Sequence, residues 1–443
     1  MSGGGAGGSV AGSGGSTGGI SSGGSSGGVA CESPIASSTL GEIQTVGIVE
    51  WSTNLAGVTS AEVQFGLDTS YGMAAPVEPV AASNRTLLLG MKQNKTYHYR
   101  IVAKSPAGDC FGPDQTIQTG ALPTGLPNIQ KETRNAAELY GGFLIAGQYV
   151  QGGAGTGSPA FILDKDGEFV WAYIMPMRDV TGVRPSYDGQ YMWMMSANVP
   201  ENQGANVRRI SMDGSMIENF SDEFEGANHQ MTVLPDETVG FYAYGNGCDD
   251  IKEFNPSTRM VKTIINSGTA HGAGTPCHVN AIEYSPTDDS YLFSDLDNDN
   301  ITKVTRSGEV VWVIGGSTND FSGTGTTWSR QHGIDVLGED KFVFFNNGMM
   351  GSSGSVMIEM TLDLQAMSAS RTWTYTDADN LRNDVMGDVQ RMDNGNTMVA
   401  YSTKGVLQEV NAAGEVLEEL VWALPGAYGY IQKRKTLYGP PPR

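Results

Sequence analysis

Positive charge is what this sequence has least of. Its 27 lysines and arginines face 48 aspartates and glutamates over 443 residues, a formal charge of −21. Such a field repels phosphate backbones and anionic membrane faces, which argues against nucleic-acid partners. Long apolar runs are missing too: no stretch approaches the roughly 18 residues of a membrane span, so no transmembrane segment is expected. The N-terminus has neither the basic start nor the apolar middle of a signal peptide. There are only four cysteines and no CxxC, which argues against a thiolate zinc site. No P-loop or dinucleotide fingerprint stands in a strand–helix context.

What is present sorts into four stretches. Residues 1–30 are almost all Gly, Ser, Ala and Thr, a composition that cannot repay its ordering entropy and reads as a disordered tether. A tether of this kind follows the anchored cysteine of bacterial surface lipoproteins. That raises the expectation of a secreted, periplasmic or cell-surface protein, lipid-anchored in a longer form; a plain flexible tail has the same composition. Residues 31–120 hold short alternating strands such as "TVGIVEWST", "SAEVQFGL" and "KTYHYRIVAKS", separated by turn residues at intervals near ten, the pattern of a β-sandwich. "LGMKQNKTYHYRIVAKSPAGD" resembles the late strands of fibronectin type III domains, with His98 facing outward. Residues 121–131 read as a Pro/Gly linker. The remainder, 132–443, repeats one unit with a period near 45 to 50 residues.

The clearest copy is "GDVQRMDNGNTMVAYSTKGVLQEVNAAGEVLEELVW": strand, Asp/Gly turn, strand, loop, strand, "AGEV" turn, and a strand ending in an aromatic. Six such units can be counted. The first lacks its leading strand, and "YGYIQKRKTLYG" near the C-terminus has the length to supply it. A closed ring of four-stranded blades leaves no exposed sheet edges. The fold class expected is therefore all-β: a six-bladed β-propeller, closed by the C-terminal strand, behind a small fibronectin III-like sandwich. The cysteines fall two and two across that boundary, which predicts the disulfides Cys31–Cys110 and Cys248–Cys277 and an oxidising compartment.

Of only five histidines, three share a register. Aligning the second strands places His229, His278 and His332 at the heads of three consecutive units, with one residue of slack for His278; Thr181 and Gly387 hold that place in two others. The innermost strands of a propeller line its channel, so the three imidazoles should converge at one mouth. Imidazole serves as base, nucleophile or metal ligand near neutral pH, and the pattern alone does not choose.

The ordered text "HVNAIEY", "DSYLFSDLDNDNITKVTRSGEVVWVIGG", "WSRQHGIDVLGEDKFVFFNNG" and "IQKRKTLYG" resembles the PAPS-independent arylsulfotransferases, over roughly residues 135–440. That resemblance implies a channel histidine that takes a sulfuryl group from an aryl sulfate and hands it to a phenol, with no nucleotide cofactor. Carried over, the nucleophile is His332 of "RQHGI", with His278 of "CHVN" and His229 of "NHQM" as acid/base and oxyanion partners. An imidazole nitrogen splits one hard displacement into two easier ones, and a second imidazole moves the phenol's proton.

One departure stands out. The family's Ser-x-Arg, whose arginine holds the sulfuryl oxygens, is "SDL" here, with Leu296 in the arginine's place. Losing one preorganised donor costs on the order of a hundredfold; Arg330, Arg184 and Arg391 are the arginines that could stand in. The alternative reading is a non-catalytic or metal/ligand-binding surface propeller whose sandwich meets a surface partner. Within it, Asp295, Asp297 and Asp299 of "DLDNDN" alternate like calcium ligands, though without the following glycine and distal glutamate of a calcium loop.

Overall fold

The computed structural model describes residues 35–77, 80–149, 157–176, 178–196, 206–245, 247–271, 276–423 and 427–440. Its strands follow the alternation of the sequence. In Thr96–Ser105, Tyr97, Tyr99 and Ile101 are buried while their neighbours are less so. Those three meet Val49, Trp51 and Leu88 of a facing sheet in one core. The two sheets are Ile35–Leu40, Gly47–Ser52 and Ser83–Leu88 on one side, and five strands between Ser60 and Gln118 on the other. His98 lies on the outside and meets Asp114 Oδ2 at 2.8 Å.

Six further antiparallel sheets follow in chain order. Several second strands are close to wholly apolar, as in Tyr191–Ser196, Val239–Ala243 and Thr397–Tyr401. Sheets on both faces cover these strands, so alternation gives way to continuous apolar runs. Aromatic contacts join neighbouring sheets: Trp312 stacks on Phe342, and Phe345 meets Tyr401 edge-on. The last sheet packs against the first through Trp422 and Phe161, 5.5 Å apart.

The first sheet has its innermost strand supplied from the far end of the chain. Ala427–Tyr428 and Gln432–Arg434 both pair with Phe143–Tyr149. That segment also bonds to the sixth sheet, where Lys433 N–H donates to Gln390 Oε1 at 2.6 Å and Gln390 Nε2 donates back at 3.1 Å. The expected linker is shorter than its composition suggested. Ile129–Thr133 adds a fifth strand to the outer edge of the sixth sheet, against Val416–Trp422. Each chain end therefore covers an edge that would otherwise be open.

The sandwich is docked firmly. Ile43, Val46, Leu87 and Leu89 share a core with Ile145, Trp171 and Leu437, and Tyr438 OH donates to Leu87 O at 3.0 Å. Cys248–Cys277 forms a disulfide as expected. Cys31, the partner expected for buried Cys110, lies outside the described residues, as does the whole of the tether.

Candidate active site

The inner strands begin irregularly where the histidines stand. Pairing slips between Ala227 and Met231, between Val279 and Ala281, and between His332 and Ile334. Bulges of this kind turn a side chain out of the regular alternation. His229 takes a left-handed backbone conformation, φ 55°. Gly333, φ 36°, lies so close to the next inner strand that a Cβ would sit 2.6 Å from Asp388 Cα. Only glycine lets the strand bend there.

These bends bring the three rings together. The His229 ring lies 5.6 Å from that of His278 and 6.5 Å from that of His332. His332 is 2% exposed, whereas the other two are half-buried. Thr181 is fully buried nearby in register and donates its N–H to Met195 O at 2.9 Å.

The supporting shell decides what each ring can do. His332 Nδ1 lies 2.8 Å from Asn347 Oδ1. Asn347 is fully buried, and its Nδ2 donates to Asn383 O and Met386 O, each at 2.8 Å. With its amide nitrogen committed to two carbonyls, Asn347 presents an oxygen to the ring. Nδ1 therefore carries the proton and Nε2 keeps a free lone pair. Asn347 sits in "FFNNG" and was not singled out from the sequence; the run of two asparagines after a buried strand was the available signal.

His278 is held through its backbone. Its N–H donates to Asp295 Oδ1 at 3.1 Å, and its carbonyl accepts Leu296 N–H at 2.8 Å. The adjacent Val279 N–H donates to Asp249 Oδ2 at 2.7 Å, and the Cys248–Cys277 bridge ties the preceding residue to the neighbouring sheet. Two buried amides lock the fourth and fifth inner strands to each other. Asn280 Nδ2 donates to Gln331 O at 2.6 Å, and Gln331 Nε2 donates to Ser294 Oγ, Asp295 O and Asn300 O. Tyr430, from the closing segment, donates its hydroxyl to Asn280 O.

The aspartates of "DLDNDN" do not gather around a common point; each does something different. Asp295 is fully buried and accepts from His278, Asp297 and Asn298 backbone N–H groups, with His271 Nε2 3.0 Å away. Asp297 is exposed, and Asp299 Oδ1 accepts Arg330 N–H at 2.9 Å. The physical reason is the turn itself: its backbone donors claim the oxygens a cation would need. His271, Cys277 and Asp295 do lie close together, but Cys277 is spent in the disulfide and offers no thiolate.

Burial sets the protonation. It pushes His332 down to about 4 and His229 down to about 3, and neighbouring imidazoles push both the same way. Both rings are neutral at neutral pH, the state in which a nitrogen can attack. Burial pushes Asp249 up to about 7, with Asp295 and Asp250 adding to the effect.

Residues 143–421 match the arylsulfotransferase (ASST) family. The chain belongs to the arylsulfotransferase family. No curated protein matches it. Among solved structures, this chain is similar to TolB from Acinetobacter baumannii at 14% identity, covering 78% of this chain and 80% of that one, with TM-score 0.47. A protein of unknown function from Bacteroides thetaiotaomicron matches at 14% identity over 90% and 99%, TM-score 0.41. One from Bacteroides caccae matches at 16% over 66% and 98%, TM-score 0.44. No helix among the described residues is long and apolar enough to cross a membrane.

Two of the arginines that could replace the family's cation lie at the far ends of the inner strands. Arg184 and Arg391 line a cavity of about 680 Å³ with Glu283, Asp335 and Asp388. Arg184 donates to Val183 O and Ile431 O, and Arg391 pairs with Glu359 at 2.9 Å. Arg330, two residues before His332, stands at the histidine end.

Proposed function

We propose that this protein moves a sulfuryl group from an aryl sulfate donor to a phenolic acceptor by way of a sulfohistidine at His332. The observation that carries the reading is His332 itself, a neutral imidazole whose Nδ1 is occupied by Asn347, so that only Nε2 is free to attack. Nε2 forms a bond to sulfur as the sulfur–phenolic oxygen bond breaks, and the electron pair leaves on the phenolate. His278, half-buried at the mouth, delivers the proton that phenolate takes and recovers one from the incoming phenol. His229, kept neutral by burial, takes the oxyanion role with its proton on Nε2, which requires the Asn228 amide to turn its otherwise unpartnered nitrogen toward Nδ1.

The same reading takes the six sheets as blades of one closed six-bladed propeller, with the sandwich as a fibronectin III-like domain. The Trp422–Phe161 contact and the Lys433–Gln390 bonds support closure. The disulfide favours an oxidising location, secreted, periplasmic or at the cell surface.

Incubation with 4-nitrophenyl sulfate is expected to release 4-nitrophenol and leave one sulfuryl group on the peptide containing His332. A phenol added afterwards should discharge it. Absence of both nitrophenol release and the mass increment would sink the proposal.

A further inference from the structure

The sulfotransfer reading needs a cation at the histidine mouth, and Leu296 does not supply one. Leu296 is 7% exposed, its N–H bonds to His278 O, and its side chain belongs to none of the apolar clusters between sheets.

We propose that Arg330 is the anion-binding group of this site, its guanidinium holding sulfuryl oxygens while sulfur is bound to, or passing from, His332 Nε2. The inference rests on the sulfotransfer reading for its substrate class and on the geometry of Arg330 for its residue. Arg330 is fixed at the backbone, in a left-handed conformation, φ 57°, with its N–H bound to Asp299 Oδ1. Its carbonyl lies 3.3 Å from His332 Nδ1. Its side chain is half-buried, yet among the described residues no acceptor meets its guanidinium. Four other half-buried arginines have carboxylate partners: Arg209 with Glu218, Arg306 with Glu253, Arg382 with Asp384, Arg391 with Glu359.

A guanidinium presents five donors, and with no protein acceptor on them those of Arg330 stay available to an anion. Its charge already reaches His332, where it opposes protonation of the ring. That keeps the nucleophile in its attacking form and brings a negatively charged donor to it. Two N–H groups can meet two of three sulfuryl oxygens at once. As Nε2 bonds to sulfur and the phenolate departs with its electron pair, the charge on those oxygens persists, so one clamp serves both half-reactions. Arg330 precedes the first strand of the fifth sheet, whereas Leu296 follows the second strand of the fourth.

Calorimetric titration with inorganic sulfate tests this beside 4-nitrophenol release. Arg330→Gln should weaken sulfate binding at least tenfold and slow turnover by about a hundredfold. Arg330→Lys, which keeps charge but not the fork, should lose less of each. Adding Leu296→Arg to Arg330→Gln should restore both in part, which repair of a merely structural defect would not do. Sulfate binding unchanged in Arg330→Gln, or turnover lost with sulfate binding intact, overturns the assignment. Arg330-dependent sulfate binding in a protein whose His332 is never labelled defeats the sulfotransfer reading and leaves this assignment standing. Sulfate binding indifferent to Arg330, with His332 unlabelled, defeats both.

Discussion

The first strands of these sheets carry imidazoles and amides where they begin and carboxylates further along. At the first end stand His229, His278, His332 and Asn347; further along, Glu283 and Asp335 line a cavity with Arg184, and Asp388, next after Gly387, lines it as well. Burial acts on the two ends in opposite directions and to one result. It drives His332 and His229 down to about 4 and 3, and Glu283 and Asp388 up to about 7 and 6. In both cases burial favours the neutral form of the group. The difference between the ends is chemical: one presents a free lone pair, the other presents acceptors already engaged by Thr232 and by the backbone of Arg391 and Ile431.

The comparison breaks most sharply at His332. His332→Ala should lower aryl sulfate turnover by at least about a thousandfold, since it removes the attacking atom. Glu283→Gln, at the opposite end, should leave turnover within about threefold. Steady-state nitrophenol release measures both, and equal losses would mean that the two ends are not separate.

A smaller effect is expected from Asn347→Leu. Without its acceptor the ring can flip or change tautomer, and Asn383 O and Met386 O lose their donor. Turnover should fall about tenfold to a hundredfold, and stability by about 1–3 kcal/mol for the buried carbonyls left unpaired. Single-turnover kinetics and chemical denaturation read these separately. A stability loss with undiminished labelling of His332 would remove Asn347 from the orienting role.

The smallest difference is in pH response. Nucleophilic labelling requires neutral His332, so it should persist from pH 7 to 5 and be half lost only near pH 4, well below an ordinary imidazole. On stability the ends oppose each other. The neutral histidines contribute stability that is present above about pH 6.5 and lost as pH falls toward 4. Glu283 has its folded value raised to about 7, so its contribution is full below about pH 4.5 and lost as pH rises through 7. Glu283→Gln should therefore raise the melting temperature relative to native at pH 8 and not at pH 4. Melting curves across that range check the sign.

Much of this was legible in residues alone, because it rests on periodicity. The strand grammar of the six units, the missing first strand and its replacement near residues 427–434, and the common register of the three histidines are all local patterns. So was Cys248–Cys277, from the adjacency of one unit's loop to the next unit's head. What escaped notice depends on distant partners. Ile129–Thr133 is polar and looked like linker, and only the open edge of Val416–Trp422 makes it a strand. The aspartates after Ser294 looked like a cation loop because spacing does not show which backbone donors will claim each oxygen. Arg330 was one of three arginines, indistinguishable until the far ends of the strands were seen to hold the other two.

The segment 427–434 gives the ring a timing as well as a shape. Tyr430 reaches across to the strand that bears His278, and its neighbours complete the first sheet and bond to the sixth. Every histidine is synthesised long before this segment leaves the ribosome, so the pocket cannot settle while the chain is still growing. Chemistry at the mouth thereby becomes a report on completeness: a polypeptide that stops before residue 427 has all of its reactive groups and no finished place to use them.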